Sequence, residues 1–159
     1  MAESLREQAL VQVVTRLQGM TGVRHWGGTY ANAPRVERIF REPAQVGQLP
    51  HLIVLEGGQS QMAEFQSSGL TISYRDEFDV LVLGYINGDD QVTPSTWLQR
   101  LLEDVRRTLL ADWTLGGLAG KVSIGNEDTD EGALMAAGLP LAMFAQGITV
   151  TLFPAYAVQ

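Results

Sequence analysis

A chain of 159 residues that is 45% hydrophobic, lacks cysteine and carries a formal charge of −7 suits one domain with a single core, which buries roughly 70% of its unfolded surface. Without cysteine there is no disulfide framework, thiol nucleophile or thiolate metal site, and a diffuse acidic surface repels the phosphate backbone of nucleic acid. No run approaches the roughly 18 apolar residues of a membrane span, and the opening MAESLREQALVQVV lacks the basic start and apolar stretch of a secretion signal, so a cytoplasmic protein is expected.

Ser4 and Glu7 stand at capping-box spacing, and Leu10, Val13, Val14 and Leu17 recur on one helical face until Gly19 and Gly22. This predicts an amphipathic helix over about 4–18. Short extended segments are expected around Val23–Trp26 and Val36–Arg41, then over Leu52–Leu55, separated by Gly and Pro. From there Leu70, Ile72, Tyr74, Phe78, Val80 and Val82 keep period two, broken only by Asp76. The pattern predicts one long strand, or two collinear strands meeting near Arg75–Glu77, paired back onto 51–56 through the polar segment GGQSQMAEFQSSG. A hairpin of that length projects beyond the domain body as an arm with little core of its own.

Thr93 and Pro94 supply a cap and a first-turn proline. Leu98, Leu101, Leu102, Val105 and Leu109 form the stripe of a second helix ending near Asp112, with Arg100, Glu103, Asp104 and Arg107 outside it. Two more strands are expected at about 121–125 and 142–153, where Phe144, Gln146, Ile148, Val150 and Leu152 alternate with small or hydroxylated residues. Short links between successive strands favour an α+β fold: an antiparallel or mixed β-sheet with two α-helices packed on one face and a projecting β-hairpin arm. One domain spans 1–159.

The stretch most like chemistry is LGGLAGKVS, residues 115–123. A P-loop requires glycine where Leu115 stands and Ser or Thr where Val122 stands. A dinucleotide fingerprint requires a strand before the glycines and a helix after them, and here the order is reversed. Gly116 and Gly117 fit a left-handed stop after the helix, and Gly120 eases the start of the next strand. NEDTDEG, Asn126–Gly132, departs from calcium-loop spacing at Glu131 and Ala137, so a solvated acidic turn is expected. Ser123 lies one residue too far from its preceding glycine for a nucleophile elbow. His25 and His51 sit at expected strand starts as partly buried histidines. Asp76 and Glu77 point to opposite faces of a strand, and Asp89 and Asp90 belong to a turn before a helix cap. No catalytic, cofactor or metal residues are expected, and the chain is read as non-enzymatic.

Charge is unevenly spread: residues 1–50 carry six arginines against four acids, and residues 51–159 carry five bases against fourteen acids. Ten of the eleven basic residues are arginine, which fits hydrogen-bonded ion pairs at protein interfaces and fits a genomic base bias equally well.

The N-terminal amphipathic helix, LPHLIVLEGG leading into the polar arm, FDVLVLGYINGDD, TWLQRLLEDVRRTLLADWTLGGLAGKVSI and the closing AMFAQGITVTLF together resemble the tail terminator proteins of long-tailed bacteriophages, along nearly the whole chain. The resemblance implies a virion structural protein, assembled in the host cytoplasm and placed at the head-proximal end of the tail. It implies a ring, usually of six subunits, that stops tube polymerisation and presents a surface for head joining. The implied partners are further copies of the chain, the tail tube protein and a neck or connector protein, with DNA passing through the channel without specific binding and no membrane involved. The alternative in the same biology is a neck or head-completion protein. The candidate assembly contacts are Met62 and Phe65 in the arm, and Arg35, Arg38 and Arg41 in the basic segment.

Overall fold

The structure is a computed structural model that describes residues 3–20, 26, 28–30, 32–89, 91–130 and 141–157. In chain order its elements are α1 (Leu5–Gln18), β1 (Arg35–Glu37), a 3-10 turn at Pro43–Gln45, β2 (His51–Ser68), β3 (Thr71–Asn87), α2 (Pro94–Leu110), β4 (Lys121–Asp130), β5 (Leu141–Leu152) and β6 (Ala155–Ala157). The strands form one sheet ordered β1-β2-β3-β5-β4, with β6 also paired to β3. β1 is parallel to β2 and every other pairing is antiparallel. The fold is α+β with a mixed sheet.

Both helices form where the capping and stripe signals place them. The Ser4 hydroxyl accepts from the Glu7 N–H and the Thr93 side chain from the Thr96 N–H, which satisfies donors that a helix start leaves unpaired. The stripes Leu10, Val13, Leu17 and Leu98, Leu101, Leu102, Val105, Leu109 pack onto one face of the sheet, against Leu52 and Val54 of β2, Phe78, Val80 and Val82 of β3, and Phe144, Ile148 and Val150 of β5. Each fully buried aliphatic side chain in this layer contributes about 1.5–3 kcal/mol. On the opposite face a smaller cluster of Ile53, Leu83 and Tyr85 is covered by Val46 and Leu49 from the segment that follows β1.

Several expectations need correction. The segment Val36–Arg41 is strand only over Arg35–Glu37; beyond it Arg38 pairs with Glu7 of α1 and Arg41 folds back onto Glu37, drawing the chain out of the sheet. The polar segment expected to link 51–56 to the long strand is itself strand. β2 runs through it to Ser68 and turns at 69–70, pairing with β3 from Ser60↔Phe78 to Ser68↔Thr71, because main-chain pairing does not depend on apolar side chains. Leu70 accordingly belongs to the turn and is exposed. Asn126–Asp130, expected as a turn, is the end of β4, paired to β5 after a register shift between Ile124 and Glu127. Residues 131–132 of that motif, Val23–His25 and Asp90 lie outside the described residues, and Trp26 is in a turn.

Two carboxylates, Asp76, expected as a break in the apolar face of the long strand, and Asp104, expected outside the stripe of the second helix, are buried in the core. Asp76 occupies the helix-facing side of β3, where Arg6 of α1 donates from Nε at 2.7 Å and Nη2 at 2.5 Å while its guanidinium lies over Phe78. Asp104 on α2 accepts from the Trp26 indole at 3.1 Å and from the Tyr30 hydroxyl. Trp26 meets Tyr30 and Trp97 edge to face, Tyr30 and Trp97 are tilted against each other, and Arg100 stacks over both tryptophans. The segment around 26–30 therefore covers a side of α2 that heptad-like spacing alone reads as solvent-facing.

The glycine-rich stretch is structural in form. Gly116 and Gly117 have φ of +75° and +86°, and Asp112 holds the turn by accepting from the N–H groups of Thr114 and Gly116. A Cβ at position 117 meets nothing within 4 Å, so a substitution there costs backbone strain alone. Gly117→Val is expected to destabilise by about 1 kcal/mol, whereas Lys121→Ala at the exposed start of β4 leaves the denaturation midpoint unchanged. Addition of ATP or NAD is expected to leave the melting temperature where it is; a rise of several degrees overturns the structural assignment.

Candidate functional site

Three surfaces hold the residues with assembly potential: the distal hairpin, the basic segment at the β1 edge, and the acidic end of β4. β3 pairs with β5 only from Asp76↔Leu152 onward, so the stretch of β2 and β3 nearest the turn extends past the end of β5. There it is braced on one side by β6, through Thr71↔Ala157, Ile72↔Tyr156 and Ser73↔Ala155. Residues 60–70 are all exposed except half-buried Ala63. Of the two arm residues expected as assembly contacts, Met62 is 46% and Phe65 60% exposed. Phe65 sits at a register irregularity between Glu64 and Gln66, and its ring lies 5.0 Å from that of Phe153. Tyr74 meets Tyr156 edge to face at 5.9 Å.

The exposed apolar set at this end thus includes Leu70, Phe153 and Tyr156 as well, residues that sequence reasoning missed. The closing AYA after Pro154 has no long alternating pattern to announce a strand, and only its pairing with β3 places it beside the arm.

At the base of the arm β2 carries an irregularity between Glu56 and Ser60, opposite Asp79. A Cβ at Gly57 falls 2.6 Å from the Asp79 Cβ, so the backbones approach there as only glycine allows. The bend opens a polar depression of 660 Å³ on the face away from the helices, lined by Gly58, Ser60, Gln61, Glu77, Asp79 and Thr149. Its carboxylates are engaged: Asp79 accepts from the Thr149 hydroxyl at 3.0 Å and Glu77 pairs with Arg75 at 3.4 Å. Among the described residues no three His, Asp or Glu side chains converge in a metal-holding group.

The three arginines of the basic segment are gathered by carboxylates of this chain. Arg41 Nε donates to Glu37 at 2.9 Å, Arg35 Nη2 lies 3.5 Å from the same carboxylate, and Arg38 reaches Glu7. They occupy the β1 edge; Met62 and Phe65 lie in the arm. The structure does not merge the two groups into one site. Beside Arg38 the side chains of Ile39 and Phe40 are exposed.

Glu37 also lies 2.8 Å from Nε2 of His51, a fully buried imidazole at the start of β2 whose Nδ1 has no hydrogen-bond partner among the described residues. Burial pulls the His51 pKa below its ordinary value; Glu37 opposes this, and Arg35 and Arg41 reinforce it. The hydrogen bond from Arg41 holds the Glu37 carboxyl below its ordinary value. Tyr85, paired with His51 across the strands, is raised by burial. A histidine depressed in the folded state stabilises above its unfolded pKa, and that stability drains as pH falls below about 6.5. The melting temperature is therefore expected to decline between pH 7 and pH 5.5. His51→Gln flattens that window and leaves the Glu37-dependent loss at lower pH in place; an unchanged slope refutes the role of His51.

No protein-family model matches this chain, and no curated protein matches it significantly. No helix among the described residues is long and apolar enough to cross a membrane.

Proposed function

We propose that this chain is a structural subunit that closes into a ring on the end of a bacteriophage tail tube, stops its growth and offers a surface for head joining. The observation that carries this reading is the distal hairpin. It extends past β5 with Met62, Phe65 and Leu70 exposed, and an apolar surface on a ribbon outside the main core is best explained by a partner. The resemblance of the order of elements to that of tail terminators supports tube protein or a neighbouring copy as that partner.

A head-to-tail ring requires two unlike surfaces on each subunit. Two candidates for them lie at the outer strands of the sheet: β1, with Arg35 and with Arg38 and Arg41 just beyond it, and β4 with its acids. The ring works without catalysis, and its acidic balance suits a channel through which DNA slides without sticking.

Six copies of 17.3 kDa give roughly 104 kDa, the mass expected from light scattering across protein concentrations. Added to polymerising tube protein, the chain is expected to give tubes of uniform, capped length. A two-fold dimer as the only assembly with tube protein present overturns the proposal. A ring that binds neck protein but leaves tube growth unaffected favours the head-completion alternative.

A further inference from the structure

We propose that copies of this chain join edge to edge, the acidic end of β4 in one copy adding as an antiparallel strand to the arginine-bearing β1 of the next. The proposal rests on the ring reading above and supplies its contact. Three rows run straight across the sheet. The first passes through Arg35, His51, Tyr85, Met143 and Asp130; the second through Val36, Leu52, Gly84, Phe144 and Thr129; the third through Glu37, Ile53, Leu83, Ala145 and Asp128. The basic and acidic segments are therefore opposite ends of the same rows.

Strand polarity fits as well. β1 runs with β2, β2 against β3, β3 against β5 and β5 against β4, so β1 and β4 are antiparallel. A sideways step of one copy sets its β1 against the β4 of its neighbour in the geometry of an ordinary antiparallel ladder. Among the described residues no strand lies beyond either edge, and Glu127, Asp128 and Thr129 are exposed.

The step places Arg35 of one copy opposite Asp130 of the next, on the same sheet face and of opposite charge, the arrangement that favours cross-strand pairing. It also places Glu37 opposite Asp128. Within its own chain Glu37 already meets Arg41 at 2.9 Å and Arg35 at 3.5 Å, so the incoming Asp128 faces a carboxylate screened by two guanidinium groups. Because the two surfaces differ, the contact is head-to-tail and propagates until the ring closes.

The chain has no cysteine, which allows a direct test. β1 and β4 are separated by three intervening strands, about 19 Å at ordinary strand spacing, far beyond the Cα separation a disulfide accepts. The double variant Arg35→Cys/Asp130→Cys therefore cross-links only between copies. Under oxidising conditions at assembling concentrations it is expected to give a ladder of covalent multimers that collapses on reduction.

A second measurement guards against misfolding of that variant. Arg35→Asp and Asp128→Arg/Asp130→Arg are each expected to lose the oligomer while keeping a cooperative melt, and an equimolar mixture of the two is expected to regain it. A wild-type ring that forms no cross-link and tolerates both charge reversals overturns the edge contact and leaves the ring reading standing. A wild-type chain that forms no oligomer, even with tube protein present, overturns both.

Discussion

Replacing Gln146 by leucine is expected to destabilise the protein by about 3 kcal/mol, a fall in melting temperature of roughly 6–12 °C for a domain of this size. Gln146 is fully buried on the helix-facing side of β5. Its Nε2 donates to the carbonyls of Gly125, Asn126 and Gly147 at 3.0, 3.2 and 2.7 Å, and its Oε1 accepts from Arg106 Nε at 3.0 Å. The register shift between Ile124 and Glu127 leaves carbonyls of β4 outside the regular ladder, and this amide takes their place in it. Leucine matches the volume and removes every one of these bonds. Arg106, which also pairs with Glu127, loses one of its two anchors. Arg106→Ala combined with Gln146→Leu is therefore expected to cost less than the two single changes added together, the mark of residues in one network. A loss below about 1 kcal/mol for Gln146→Leu, read from chemical denaturation, means that the irregular stretch satisfies itself by other means.

Gln146 also illustrates where sequence reasoning stops. Its alternation with Phe144 and Ile148 placed β5 and its inward face correctly, since the spacing of core side chains is a local property. What the glutamine does there depends on Arg106, 40 residues away, and on a bulge in the adjoining strand. Asp76 and Asp104 follow the same logic, with partners 70 and 78 residues distant in Arg6 and Trp26. Asp76 reads as a break in an apolar stripe, and Asp104 as a residue outside one, until those partners are found.

The distal part of β2 was missed for the opposite reason. Away from the helices neither face of the ribbon needs apolar side chains, so SQMAEFQSS carries no alternation, and only its main-chain pairing with β3 makes it a strand. Arg35, Arg38 and Arg41 were legible as a basic group. The carboxylates of Glu37 and Glu7 that order them were not.

Serine at both Met62 and Phe65 is expected to abolish tube capping while the melting temperature shifts by only a few degrees. Both side chains are about half exposed or more, so little burial is lost. The main structural cost is the contact of Phe65 with Phe153, about 0.5–1.5 kcal/mol for an aromatic pair. Deleting QSQMAEFQSS outright is a poorer test than its polar composition suggests, because the segment pairs with Thr71–Phe78 and its loss strips β3 of a partner along that length. The double serine variant keeps every main-chain hydrogen bond of the hairpin and removes only the apolar anchors. If the arm binds a partner through them, capping fails although the fold persists, since a few anchors carry most of an interface's energy. Electron micrographs of tubes grown with the variant should then show lengths spread as widely as in the absence of the protein. Capped tubes of normal, uniform length reduce the hairpin to a tolerated surface ribbon and move the tube contact to the sheet edges or to the surface around Arg35, Arg38 and Arg41.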